Sequence, residues 1–221
     1  MTIMPSTVKK DIPFAFFASL LLMGMILIDG NLSRIDAAIL FGVFLVFMYI
    51  TLKGAKGSHA VEQEKAGKKN YSLLTSFGLI ALGLVCLIVG SKVFVESATM
   101  VAQSLGVSEA VIGLTIVAGG TSLPELATSV VSARKGQSGI AIGNVLGSNV
   151  FNILLILGTS ALITPMSFAA VNLVDMAALA LSALLVFTGI YTGKRNMIDR
   201  LDGAIMLVVF AAYMVWLFIK L

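Results

Sequence analysis

Seven apolar runs follow one another through the chain, near residues 12–28, 36–52, 73–95, 109–132, 139–163, 172–192 and 202–220, each bounded by Lys or Arg, Asp, Asn, Gly or Pro. Each is close to the roughly 20 residues that a helix needs to cross the hydrocarbon core of a bilayer. Of the 221 residues, 58% are hydrophobic and only 12% charged, which leaves too few polar side chains to coat a surface that faces water. The solvent is therefore lipid, and the fold class is an all-α polytopic membrane protein with about seven transmembrane helices. This excludes most soluble-enzyme readings, and any reading of the +4 net charge as a nucleic-acid surface. The single cysteine, Cys86, lies inside an apolar run and cannot form an intrachain disulfide.

The first run, from Pro13 to Ile28 behind Lys9 and Lys10, also has the charged start of a signal peptide, but no small-residue cleavage site follows Asp29-Gly30-Asn31. Assigning the loops alternately to the two faces of the membrane puts 12 of the 15 basic residues on one side and leaves Arg34, Lys92 and Lys220 on the other. By the positive-inside rule the N-terminus is cytoplasmic and the C-terminus outside. Residues 54–71 read as a solvated cytoplasmic linker, and His59, the only histidine, is an exposed side chain within it. Tyr49, Tyr191, Tyr213 and Trp216 lie towards the ends of runs, as interfacial anchors do.

Sliding the chain by 166 positions aligns Ser33–Met48 with Asp199–Met214 and gives seven identities in sixteen, including the charged pairs Arg34/Arg200 and Asp36/Asp202. The second of these helices comes five spans after the first, so they cross the membrane in opposite directions. Inverted repeats of this kind belong to secondary transporters. With five helices per repeat, residues 72–221 form a complete second repeat and residues 1–53 the last two helices of an incomplete first one. The first three helices of that earlier repeat have no counterpart in the sequence.

The chemistry concentrates in two stretches. One is Ala118-Gly119-Gly120-Thr121-Ser122-Leu123-Pro124-Glu125 in the fourth run; the other is Gly143-Asn144-Val145-Leu146-Gly147-Ser148-Asn149-Val150-Phe151-Asn152 in the fifth. A glycine pair followed by proline is a poor helix interior, because proline removes a donor and loosens the preceding carbonyls. Loosened carbonyls are tolerated at membrane depth only where they line a cavity or meet a ligand. A carboxylate there costs roughly 2.5–3.5 kcal/mol on insertion scales, so Glu125 calls for a partner. Lys92, Glu96 and Glu109 are weaker candidates, near the ends of runs. Thr121 and Glu125 are four apart, as are Ser148 and Asn152, so each pair shares one face of a regular helix. Hydroxyl, amide, carboxylate and carbonyl are hard oxygen donors that suit Ca²⁺ or Na⁺ rather than softer metals. Gly143, Gly147 and Ser148 allow close helix approach, and the glycines admit a reading as packing alone. Asn144 and Asn149 read as interhelical hydrogen-bonding residues, and the eleven methionines as packing or lipid-facing residues.

These stretches resemble the second α-repeat of the cation/calcium exchanger superfamily, of the prokaryotic sodium/calcium exchanger type. Gly120-Thr121-Ser122-Leu123-Pro124-Glu125 is similar to the family's Gly-Thr-Ser-x-Pro-Glu signature, and Gly143-Asn144-x-x-Gly147-Ser148-Asn149 to its partner motif. The resemblance implies a ten-helix inverted-repeat fold, of which this chain would hold the last seven helices, with ion sites at the midplane between four short, broken helices. It implies that Glu125 is a carboxylate shared by Ca²⁺ and Na⁺. Thr121 and Ala118 would offer carbonyl oxygens, and Ser122, Ser148 and Asn152 side-chain oxygens. Some members carry Asp where Asn152 stands, and the amide removes a negative charge. The family's first α-repeat, with its own signature, is absent from this sequence, so a second half would come from another chain or segment. A homodimer would need subunits of opposite orientation, against the charge bias.

The expected function is Ca²⁺ antiport against Na⁺ by alternating access, with no enzymatic turnover and no cofactor beyond the transported ions, in a bilayer that is a bacterial inner membrane. H⁺ as counter-ion is the close alternative. A truncated, non-transporting membrane remnant or partner subunit is the distant one.

Overall fold

The computed structural model describes residues 7–55, 72–168, 171, 173–192 and 197–220. Most of the expected linker, with His59, and the basic residues Lys194 and Arg195 lie outside the described residues. Helix α1 (Ile12–Asp29) follows a wide π turn at Thr7–Asp11 and carries proline in its first turn, where the missing donor costs nothing. It ends at Gly30, whose φ of 63° is the left-handed conformation that glycine adopts freely, and whose N–H donates to Ile26 O. The short strand β1 (Asn31–Leu32) leads into α2 (Arg34–Ala55), and α3 (Leu73–Ser104) follows the linker.

The fourth run forms two helices rather than one. Helix α4 spans 109–121 and widens into a π turn at Gly113–Val117; α5 is Leu123–Arg134. Helix α6 (Ser138–Ile163) has its own π turn at Phe151–Leu157. After the strand β2 (Met166–Ser167) come α7 (Leu173–Thr192) and α8 (Arg200–Lys220). Each of the seven runs is thus helical. Of the described helices, α1, α2, α3, α6 and α8 are long and apolar enough to cross a membrane singly. Helix α7 is apolar over the shorter stretch Leu173–Gly189.

Helix α3 extends nine residues past the expected end at 95. At 1.5 Å per residue its 32 residues reach about 48 Å, more than the roughly 30 Å hydrocarbon core. Its apolar residues are almost all exposed, as befits a helix that faces lipid, and Ala102 is its one buried residue among those described. The core lies elsewhere, where α1, α2 and α6 meet through Leu22, Leu40, Phe44, Leu146, Val150 and Leu154. Gly158 lets α6 lie directly on α2, since a Cβ there would meet Phe41 N at 3.3 Å and Ala37 O at 3.4 Å.

β1 pairs antiparallel with β2, Asn31 opposite Ser167 and Leu32 opposite Met166. Two loops that alternate counting assigns to one face of the membrane are thereby joined at that face.

The 166-residue repeat has a structural counterpart in the helix caps. At the start of α2, Asp36 N donates to Ser33 Oγ at 3.2 Å while Ser33 N donates to Asp36 Oδ2 at 3.0 Å. At the start of α8, Asp202 N donates to Asp199 Oδ1 at 3.0 Å and Asp199 N to Asp202 Oδ2 at 3.0 Å. Both are reciprocal capping boxes that satisfy two helix-end donors each. This explains why Asp36 and Asp202 survive in otherwise apolar helices.

Candidate functional site

The break between α4 and α5 falls at Ser122. Its N–H reaches back only three residues, to Gly119 O at 3.1 Å, and its φ, ψ of −92°, 0° leave the helical region. Pro124 then sits in the first turn of α5, the position at which a proline is compatible with a helix. The signature is thus a helix end followed at once by a helix start. Glu125 falls in the first turn of α5, where the positive end of the helix dipole favours its charge.

Glu125 Oε2 is buried and has no hydrogen-bond partner. Such groups are rare, because an unmet buried oxygen forgoes its solvation without compensation. Gly120, one turn before, lies against α3 so closely that a Cβ would run into Val95 Cγ2. Thr99 Oγ1 is also buried without a partner. It lies one turn further along α3, and because α3 and α4 run antiparallel it stands level with the π turn of α4, not with Glu125.

Helices α5 and α6 form a tight antiparallel hairpin through Lys135-Gly136-Gln137, with Gly136 at φ 73°. Asn144 joins the two helices: its Nδ2 donates to Glu125 O and to Ser129 Oγ, both at 2.9 Å. Ser129 Oγ donates onward to Ala141 O at 3.4 Å. Sequence reasoning anticipated the role of Asn144 but missed Ser129, whose only signal was its place one turn after Glu125. Asn149 departs from expectation. Its side chain makes no hydrogen bond among the described residues, and it borders a cavity of about 110 Å³ between α1, α6 and α7 together with Ser19 and Ser182.

The register of the hairpin sets the heights of the other candidates. With Asn144 bonded to Glu125 O, Ser148 and Asn152 lie one and two turns further along α6, while Thr121 and Ala118 lie across the break, on α4. Thr121 Oγ1 donates to Ala118 O at 2.8 Å, and Ser148 Oγ to Val145 O at 3.1 Å, so both hydroxyls retain lone pairs to offer. Ser122 makes no side-chain cap bond. Asn152 lies within the π turn that begins at Phe151, so the four-residue spacing from Ser148 crosses from a regular into a wide turn. Single π turns recur at functional sites because they redirect side chains and backbone carbonyls. Thr121, Ser122 and Asn152 are exposed, although they belong to membrane-crossing segments.

The weaker candidates lie apart. Lys92 Nζ and Glu96 Oε1 form an exposed pair at 3.8 Å on α3, of the kind that contributes little to stability. Glu109 opens α4, 16 residues before Glu125. Among the described residues no three acidic, histidine or cysteine side chains cluster as a metal site, so any cation here relies on hydroxyl, amide and carbonyl oxygens around one carboxylate.

Comparison with known proteins adds the family. The chain is 33% identical over 228 residues to a candidate antiporter, CaxA, of Alkalimonas amylolytica, across 96% of its own length and 68% of that protein. It is 34% identical to the inner membrane protein YrbG of Escherichia coli, covering 52% of it. Its fold matches the solved structure of a sodium/calcium exchanger from Methanococcus jannaschii with a TM-score of 0.71 and 28% identity, over 95% of this chain and 63% of that one. Residues 75–219 match the family described as sodium/calcium exchanger protein. The match takes in the broken α4–α5 segment, the α5–α6 hairpin and the buried carboxylate, and the chain belongs to the sodium/calcium exchanger family of membrane proteins.

Proposed function

We propose that this chain carries one half of the ion site of a secondary transporter that exchanges Ca²⁺ for Na⁺ by alternating access, with Glu125 as its carboxylate. The observation that carries this reading is Glu125 Oε2, buried without a hydrogen-bond partner in a run that we read as membrane-crossing. A cation is the partner that offsets such a charge in lipid. Ala118 and Thr121 supply carbonyl oxygens, and Ser122, Ser148 and Asn152 side-chain oxygens, a hard-donor set suited to both ions. Because both ions need the same oxygens, they compete, and each loaded state permits the helix groups to rock.

One carboxylate facing Ca²⁺ leaves a net positive charge in a low-dielectric region. That imbalance, with the exposure of Thr121, Ser122 and Asn152, supports closure of the site by a second half. In this reading residues 1–53 end the first repeat, 54–71 form a cytoplasmic linker, and 72–221 form the second repeat. The N-terminus is cytoplasmic and the C-terminus outside, in a bacterial inner membrane, as the relative YrbG is named. Proton antiport is the second reading, with H⁺ in place of Na⁺ as the ion exchanged at the same carboxylate.

The test is Ca²⁺ uptake into vesicles driven by a Na⁺ or a pH gradient. One set holds this chain alone, and another holds it with the part of CaxA outside the match. Uptake that needs both polypeptides, follows the Na⁺ gradient and is abolished by Glu125→Gln is the expected result. Uptake that follows the pH gradient instead moves the assignment to H⁺. Uptake by the single chain overturns the half-site, and no uptake in any combination supports a non-transporting remnant.

A further inference from the structure

The helix that carries Glu125 starts weakly. Ser122 gives α5 no side-chain cap, and Pro124 in its first turn has no N–H to contribute. An uncapped first turn frays readily, because the residues that open a helix hold the fewest of its hydrogen bonds. Yet this turn carries the one carboxylate of the candidate site. What holds it comes from the next helix. Asn144 on α6 donates both amide hydrogens to α5, one to Glu125 O and one to Ser129 Oγ, at 2.9 Å each. Ser129 Oγ donates in turn to Ala141 O at 3.4 Å, which ties α5 back to α6 a second time. A backbone carbonyl only accepts, so the nitrogen of the Asn144 amide is the atom that faces Glu125. These bonds hold Glu125 by its backbone, and none of them reaches its carboxylate, whose Oε2 is buried without a partner. The residue is fixed while its charge is left unmet.

We propose that Asn144 and Ser129 are positioning residues that set ion specificity: they fix the separation between Glu125 on α5 and Ser148 on α6, and thereby favour Ca²⁺ over the smaller Mg²⁺. The proposal rests on the ion-site reading above and deepens it by naming what spaces the donors. Ser148 stands one turn after Asn144 on the same helix, so the clamp and the donor move together. The turn at Lys135-Gly136-Gln137 cannot do this work, because it lies ten residues from Glu125, about 15 Å along the helix. Ca²⁺ takes oxygens at about 2.3–2.6 Å in adaptable geometry, whereas Mg²⁺ demands about 2.0–2.1 Å and a near-ideal octahedron. Two helix walls that are held apart reject the smaller ion, and walls free to close adapt to it. Interhelical bonding for stability alone is the competing reading, and it predicts no change in which ion binds.

The experiment follows Glu125 itself, through its labelling by dicyclohexylcarbodiimide, which modifies carboxyl groups in apolar surroundings and spares exposed ones such as Glu96. Both vesicle sets of the transport test are used, and labelling is read by mass spectrometry. Ca²⁺ or Mg²⁺ is titrated, and the concentration that halves the labelling is recorded for each. In the unaltered protein Ca²⁺ is expected to protect at a concentration about tenfold or more below that of Mg²⁺. Asn144→Ala and Ser129→Ala are expected to reduce that ratio at least threefold, and Ser129→Thr, which keeps the hydroxyl, to retain it. An unchanged ratio in the folded alanine variants overturns the proposal, even where their melting temperatures fall, and assigns the two residues to stability alone. A ratio lost equally in Ser129→Thr overturns it too, as does equal protection by the two ions in the unaltered protein. If Asn144→Ala does not fold, Ser129→Ala against Ser129→Thr decides, because Ser129→Ala leaves the bond from Asn144 to Glu125 O in place. Protection of the unaltered protein by neither ion, in either vesicle set, defeats the ion-site reading and the proposal with it; protection without a change of ratio defeats the proposal alone.

Discussion

At the scale of single residues, the two stretches that carry the chemistry are held by contacts of very different kinds. Gly120 is required sterically, because a β-carbon there would strike Val95 Cγ2. The valine's χ1 is stiff, so the collision is relieved only by moving α3 or α4. Gly120→Ala is expected to destabilise the chain by about 1–3 kcal/mol, the usual cost of overpacking, and Val95→Ala to recover most of it, as read from denaturation midpoints in detergent. Rescue that fails would show that Gly120 is needed for its backbone rather than for its lack of a side chain. Glu125 was legible from sequence as a charge in lipid, and Thr121 and Pro124 as its local context. That one carboxylate oxygen is buried and left without any protein partner is visible only in the tertiary structure. A competent half-site predicts that Ca²⁺ stabilises the assembled protein by mass action, by about 2.7 kcal/mol at a hundredfold excess over the dissociation constant. Glu125→Gln is expected to remove that shift, which thermal melts with and without Ca²⁺ would show.

At the scale of elements, the hairpin of α5 and α6 depends on Asn144, whose amide donates two hydrogen bonds to α5. Interhelical bonds in membranes contribute about 0.6–1.7 kcal/mol each. Asn144→Ala is therefore expected to cost roughly 1–2 kcal/mol, while Asn149→Ala, which removes no side-chain bond among the described residues, stays close to neutral. Equal losses in thermal melts would contradict the division of labour between these two asparagines, which sequence reasoning had treated alike. The motif spacing alone cannot separate them, because which asparagine faces α5 depends on the rotation of α6. The caps behave differently again. Ser33→Ala at α2 is expected to cost about 1 kcal/mol. At α8 the cap is a carboxylate, and Asp199 is held below the usual aspartate value of 3.8, first of all by the Asp202 N–H that it accepts. A depressed folded-state value means that this cap is fully present above the ordinary range and is lost as the pH falls through the lowered one. Hydrogen exchange at the Leu201 and Asp202 amides, corrected for its intrinsic pH dependence, should accelerate in that acidic window, and Asp199→Asn should remove the pH dependence.

At the scale of the whole molecule, the basic residues predict a C-terminus outside the cytoplasm. A C-terminal alkaline phosphatase fusion should be active and a fluorescent-protein fusion dark; the opposite pattern would invert the topology. Much of this scale was written in the sequence. Apolar runs of bilayer length determine helices because lipid offers no hydrogen bonds to an open backbone. The Arg-x-Asp repeat determines two like helix starts because a capping box needs only residues three apart. The break after Gly119-Gly120 and before Pro124 follows from local chemistry as well. What the sequence left undecided were relations between distant segments: the pairing of β1 with β2, the wide turns at 113–117 and 151–157, and the covering of Phe44 on α2 by α6 while the matching Phe210 on α8 stays exposed. Phe44 and Phe210 are the same residue at matched positions, 8% and 59% exposed, so nothing in its identity records which of the two has a neighbour. Burial is a property of what packs against a residue, and only the tertiary structure decides that.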